Sequence, residues 1–222
     1  MTECIVLGPT ELVQDRLFTN PERNLDDQAS LIVMLGRLRQ VLSRPEALPD
    51  GPRPAVLNLM EPDGRTHRIA ISGSEELLAG EQFTIVGFFG EKWPAADLSV
   101  LEGVDLELIH HFPLHPGVLS YSTLELQNGD SGNLVVLSRP DIIEDWRTNI
   151  KHSYAAEYLA PKYYAHIRLH NYFLPGGLMA GLDPILLRTK YYDYGGGGVW
   201  LALREVDSSL RSHLPRTQVP GE

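Results

Sequence analysis

His166, Arg168, His170 and Tyr172 fall at every second position of the run Tyr164 to Phe173, a segment whose alternation reads as a β-strand. Successive strand residues point to opposite faces of a sheet, so these four polar side chains share one face, with Ile167, Leu169 and Phe173 on the other. Where both faces of a sheet are covered, such a stripe needs partners or a ligand, because buried charge is costly alone. Its chemistry would be a carbonyl or anion anchor from Arg168, with His166 or His170 as general base. The alternative is a strand at the sheet edge whose stripe is solvated. One ion cannot be shared by His166 and His170, since four residues along a strand span about 13 Å. His110, His111 and His115 lie closer together, but Pro113 stops one helical turn from presenting 111 and 115 side by side. No metal site is expected.

A second set of candidates would line a pocket. Tyr121 and Tyr164, with Tyr163, could supply aromatic walls, as could Tyr172 from the stripe, and equally could be ordinary core residues of a β-rich protein. Asn133 opens a strand, where its amide orients a substrate oxygen or caps a turn. Between 141 and 158, Ile142, Ile143, Trp146, Ile150 and Tyr154 form one stripe at 100° per residue, placing Trp146 in the core. His152 falls about 120° from Trp146 on that wheel, at the flank of the buried face, as a pocket, interface or surface residue. Gly129-Asp130-Ser131-Gly132 matches the tetrapeptide around a chymotrypsin-type nucleophile. The helix that follows within ten positions and the need for glycines in a tight turn make it a hairpin connection. Gly195 to Gly198 has strands on both sides and no following lysine, so it is a loop and not a phosphate cradle.

These residues need elements to position them. Residues 26 to 46 carry Leu31, Ile32, Met34, Leu35, Leu38 and Leu42 at helical spacing behind an acidic start, with Pro45 as terminator. Two alternating runs, 55 to 60 and 66 to 72, flank Pro62-Asp63-Gly64 as a hairpin. Residues 1–80 therefore form a helix-plus-hairpin module, either a small domain or an extension of the next sheet. From 82 to 174 the order is strand (83–89), helix (97–111), strands (118–126 and 134–138), helix (141–158), strand (164–173). That order predicts an α+β fold with a ferredoxin-like βαββαβ core, its antiparallel sheet covered by helices on one face. Strands at 185–192 and 199–206 add a C-terminal hairpin to this domain, 82–206, and 207–222 is a polar, flexible tail.

The stretch Pro116-Gly117-Val118-Leu119-Ser120-Tyr121, then Asn133 to Leu137, then Trp146 and His152 six apart in a helix, resembles the antibiotic-biosynthesis monooxygenase family of dimeric α+β barrels. About 90 of the 222 residues carry the resemblance. It implies a homodimer with a hydrophobic pocket between each sheet and its helices. Members include cofactor-free oxygenases, polyketide cyclases, haem-binding and haem-degrading proteins, and proteins of no known activity. The expectation is a monooxygenase-like oxidoreductase or cyclase acting on an aromatic or polyketide-like molecule. It would work with no cofactor or with haem, with His152 as the candidate axial ligand. The alternatives are a non-catalytic binder of haem or another apolar ligand, or an interaction protein working through residues before 82. Residues before 82 and after 175 exceed the family's compact unit.

Composition narrows the rest. With 43% apolar residues in 222 the chain can bury a core, and no apolar run of spanning length or export signal is visible. A net charge of -10 with 19 scattered Lys and Arg leaves no basic stripe, so neither nucleic acid nor an anionic membrane surface is an expected partner. A single cysteine, Cys4, precludes an internal disulfide and fits the cytoplasm.

Overall fold

A computed structural model describes residues 4–206 apart from 45, 47, 50–53, 95, 97–98 and 149. The expected tail, 207–222, lies outside the described residues. The chain folds as α+β around one open, mixed sheet of nine strands: β1 (Cys4–Leu7), β2 (Ala55–Met60), β3 (Thr66–Ile71), β4 (Gln82–Lys92), β5 (Val118–Glu125), β6 (Ser131–Leu137), β7 (Tyr164–Pro175), β8 (Ile185–Asp193) and β9 (Trp200–Glu205). Their order across the sheet is β1-β9-β8-β7-β4-β6-β5-β3-β2. Only β1 and β9 run parallel; every other neighbouring pair is antiparallel.

One face of the sheet is covered by α1 (Pro21–Leu42). Its start is set by Asn20, whose side chain accepts a hydrogen bond from the Glu22 amide at 3.1 Å, and by Pro21, whose fixed φ and missing N–H suit the first helical position. The helix thus begins five residues before the acidic pair that the sequence suggested as its start, and Asp27 lies well inside it. Leu31, Met34, Leu35 and Leu38 are fully buried against Ile69, Ile71, Phe83, Ile85, Phe89, Leu134, Val136 and Leu174 from four strands. Each such side chain contributes about 1.5–3 kcal/mol when removed from water. At Gly87 the helix comes closest, since a Cβ there would stand 2.9 Å from Leu31 Cδ1.

The opposite face carries α3 (Ser99–His110) and a segmented helical layer of α4 (Ile142–Arg147), α5 (Ile150–Ser153), a π-helical turn (Tyr154–Leu159) and α6 (Ala160–Tyr163). Ile109, Phe112 and Ile142 pack there on Ala70, Val118 and Leu137. The helix expected over 141–158 is thus interrupted after Arg147 and continues past Pro161, which sits in the first turn of α6 where its missing N–H costs nothing. A short α2 (Ser74–Ala79) joins β3 to β4.

The β2–β3 hairpin turns at Gly64, whose φ of +87° suits glycine, and β3 pairs with β5, so the N-terminal hairpin extends the same sheet. At the other end, β8 and β9 continue from β7. The order β7-β4-β6-β5 places at the centre the four strands read from residues 82–174.

Truncation of Leu35 to Ala should cost about 2–5 kcal/mol in urea-denaturation stability, as for other fully buried leucines. Val33→Ala, on the solvent side of the same helix at 43% exposed, should stay within about 0.5 kcal/mol.

Candidate functional site

The two sheet faces divide the candidate residues. His166, Arg168, His170 and Tyr172 do share a face, and it is the face under α1. Asp27, on the helical stripe with Asn24, Leu31 and Met34, reaches down to them. Its carboxylate takes two hydrogen bonds from Arg168, Nε to Oδ2 at 2.6 Å and Nη2 to Oδ1 at 2.9 Å, and a third contact joins Oδ2 to His170 Nε2 at 2.8 Å. His170 Nδ1 lies 2.8 Å from Thr189 Oγ1 on β8. A carboxylate only accepts, so Nε2 carries the imidazole proton and the Thr189 hydroxyl donates to Nδ1.

Protonation follows from this geometry. Burial raises Asp27, but the hydrogen bonds from Arg168 and His170 outweigh it and hold the carboxyl below its ordinary value. Burial opposes the charge on Arg168, and the bond to Asp27 more than restores it. For His170 burial prevails over Asp27, and the ring is held neutral. The result is one bidentate ion pair with a neutral histidine wedged beside it. Arg168 has spent one edge of its fork, Nε and Nη2, on Asp27, and both nitrogens of His170 are occupied. Tyr172 is fully buried beside them, with its phenol pushed up by burial and then by the charge of Asp27.

The network continues along α1. Asn24 lies 3.3 Å from Tyr191 Oη, and the fully buried Arg204 bonds to the same hydroxyl, to the Gly8 carbonyl at 3.1 Å and to the Glu11 carbonyl. These contacts tie the N-terminal loop to β9. His166, at the far end of the stripe, stacks on Phe18 at 4.2 Å, with Nδ1 3.5 Å from Asp193. Asp193 in turn lines an open cleft of about 380 Å³ together with Arg16, Trp200 and the glycine loop.

The other face gathers five of the six candidate binding residues. Across the strands run Arg68, Thr123, Asn133 and Phe88 in register, with Tyr121 and Val135 in the next row. Tyr121 donates to Asp105 of α3 at 2.6 Å, and Asp105 also pairs with Arg68. Tyr164 stands edge-on to Phe88 at 5.2 Å. Burial pushes both phenols up to about 12, helped for Tyr164 by Asp130, so both remain protonated donors. Asn133 Oδ1 is buried with no hydrogen-bond partner among the described residues.

An aromatic chain connects this row to the helical layer. Tyr121 lies 5.9 Å from Phe112, Phe112 5.5 Å from Trp146, and Trp146 5.5 Å from His152 and 4.9 Å from His115. His152 therefore faces inward, and burial, then Arg147 and His115, push it down to about 4. Ile150 and Tyr154, expected on the buried stripe, are 86% and 47% exposed, because the break after Arg147 resets the helical phase.

The residues that sequence reasoning missed are the partners: Asp27, Thr189, Asp105 and Arg68. Asp27 carried a visible signal, an acid in step with Leu31, Met34 and Leu38. Thr189 and Asp105 carried none, since their roles depend on which strand or helix becomes the neighbour. Among the described residues no group of three His, Cys, Asp or Glu is placed to hold a metal ion, and no helix is long and apolar enough to cross a membrane.

Replacing Asp27 by Asn should cost about 3–5 kcal/mol, because Arg168 is left as a buried charge without its counterion. Asp27→Leu combined with Arg168→Met should recover part of that loss, as read by urea unfolding.

Acid should unfold the protein early. His67, His152 and His170 are all held below the ordinary 6.5, His67 chiefly by burial. The unfolded chain binds protons that the native state refuses, so their contribution is complete above pH 6.5 and drains as pH falls below it, for His152 down to about 4. Asp27, held below 3.8, adds a loss only at lower pH. The urea midpoint should be flat from pH 8 to about 7 and decline steadily toward pH 4; a midpoint that rises on acidification contradicts this assignment.

No known protein family, curated protein or solved structure matches the chain.

Proposed function

We propose that the chain binds a small, flat, largely apolar molecule between its sheet and the α3–α6 layer, with the Asn133 amide as the polar anchor. The observation that carries this is the buried, unpartnered Asn133 Oδ1, set beside Phe88, Tyr121 and Tyr164. A buried acceptor left unpaired costs about 1–3 kcal/mol. A ligand bearing a phenol, enol or N–H donor would recover that energy and cover the aromatic rings.

The α1 face is the poorer candidate, because Asp27 already neutralises Arg168 and occupies His170. The stripe serves as structural cement, and the catalytic roles first expected of Arg168 and His170 pass to the other face. In the catalytic form of this proposal, an oxygenation or cyclisation of an aromatic or polyketide-like substrate, His152 is the proton acceptor. Its neutral imidazole beside Trp146 suits that role.

A ferredoxin-like reading of the centre is supported by the order β7-β4-β6-β5 with antiparallel neighbours, and by two helical connections over one face. The face that a barrel-forming dimer would apply to its partner is filled by α1 of the same chain. The proposal therefore does not include the homodimeric barrel.

Titration with a naphthol, followed by tryptophan fluorescence, should show saturable binding that Asn133→Leu weakens about tenfold, the worth of roughly one hydrogen bond. His152→Ala should abolish turnover of a substrate that binds normally. Unchanged affinity in Asn133→Leu would refute the site. Binding without turnover for every phenol and enol tried would assign a carrier and not an enzyme.

A further inference from the structure

Of the three lysines whose side chains are described, Lys92 donates to the Gly129 carbonyl at 2.6 Å and Lys162 rests over the Tyr158 ring at 3.6 Å. Lys190 is different. It lies in mid-strand on β8, directly opposite Leu169 of β7 and Leu203 of β9, on the face that carries α4. Its same-face neighbours along β8 are Arg188 and Tyr192. It is half-buried, and no hydrogen bond or carboxylate pairs with its amine among the described residues.

The surrounding charges are mostly of its own sign. Arg188 is itself buried and donates to Asn171 at 3.0 Å, and Arg147 of α4 stands within electrostatic reach and pairs with Glu144 at 3.5 Å. Glu205 sits opposite Arg188, and Cys4 of β1 also faces the amine. A chain of net charge -10 has therefore gathered Arg147, Arg188 and Lys190 on one stretch of sheet, with Glu144 and Glu205 as the acids nearby. Among the described residues the carboxylate that acts on this amine is Glu144, which is already paired with Arg147.

We propose that Lys190 is a nucleophilic amine that forms an imine with an aldehyde or ketone carrying an anionic group, the anion being held by Arg188 and Arg147. Burial, then Arg188 and Arg147, push the amine down to about 8, so the uncharged form near neutral pH is a minority but far more abundant than for an ordinary lysine. Its lone pair attacks the carbonyl carbon, the C–N bond forms, and the carbonyl oxygen leaves as water with two protons, both from the neutral amine. No electrons are exchanged. The Leu169 and Leu203 walls limit hydrolysis of the product. This site stands three strands from Asn133 along one register row, so it is separate from the pocket proposed above.

The test is reductive trapping on the full chain at pH 7.5 with 4-formylbenzoate and borohydride, with benzaldehyde in parallel and peptide mapping of every lysine. The expected result is at least tenfold preference for Lys190 over Lys92 and Lys162. Arg147→Gln should reduce labelling by 4-formylbenzoate several-fold more than it reduces labelling by benzaldehyde, which loses only the effect of Arg147 on the amine, while Lys190→Met removes the label and keeps the native circular dichroism spectrum. Equal labelling of the lysines overturns the nucleophile. Equal sensitivity of the two aldehydes to Arg147→Gln overturns the anion site. Asn133→Leu should leave all of this unchanged.

Discussion

The carboxylate of Asp27 is the point on which the two layers of the α1 face depend. It sits one turn before the apolar stretch of a 22-residue helix and engages Arg168 and His170 on the strand beside the central β4. Apolar packing alone is indifferent to small slides of a helix over a sheet, because one Leu can replace another at little cost. A bidentate ion pair is not, since a shift of even an ångström leaves a buried guanidinium without its acceptor. Leu31 to Leu38 hold α1 down, and Asp27 decides where along the sheet it lies.

That placement determines what each face can do. With α1 seated, the stripe becomes a closed circuit: one negative charge, one positive charge and a neutral histidine whose two nitrogens are used. The same circuit extends through Asn24 and Tyr191 to Arg204, so the N-terminal loop and the β8–β9 end are fastened by it as well. On the opposite face, where the proposed pocket lies, helix segments are short, the layer is interrupted, and Asn133 Oδ1 has no hydrogen-bond partner among the described residues. Short segments pack less apolar area per residue than a single long helix, and such regions are where proteins open most readily to ligands.

Much of this was legible in the residues. Strand parity alone put His166, Arg168, His170 and Tyr172 on one face, whereas the shared face of Tyr121 and Asn133 followed only from the pairing of Thr123 with Asn133 in the folded sheet. Parity could not say which face would be closed by which helix, so it could not tell that the stripe would meet an acid. That information lay at Asp27, 141 residues away from Arg168, and only its phase with Leu31 and Leu38 hinted at it. Strand β1 left no trace in the pattern, because three of its four residues are exposed at the edge and need only backbone pairing to β9, with Leu7 alone buried. Only the coarse α+β architecture followed from element order; the long row of nine strands arose from two hairpins that each found a free edge and from β1, which added itself to β9.

His152 shows why a helical wheel fails across a break. At a constant 100° per residue, Ile150 belongs under the helix and His152 at its flank. The structure inverts them, because α4 ends at Arg147 and α5 begins again at Ile150 with its own phase, and a π-helical turn from Tyr154 shifts the register once more. A π-turn carries one extra residue at the expense of backbone hydrogen-bond geometry, and it persists when side-chain placement compensates. Here the phase reset turns an imidazole toward Trp146 and leaves Ile150, Tyr154 and Tyr158 to solvent. Burying a titratable ring while exposing an isoleucine runs against the hydrophobic effect. The half-buried His152 ring beside Trp146 is therefore placed as the proposed proton acceptor would need it.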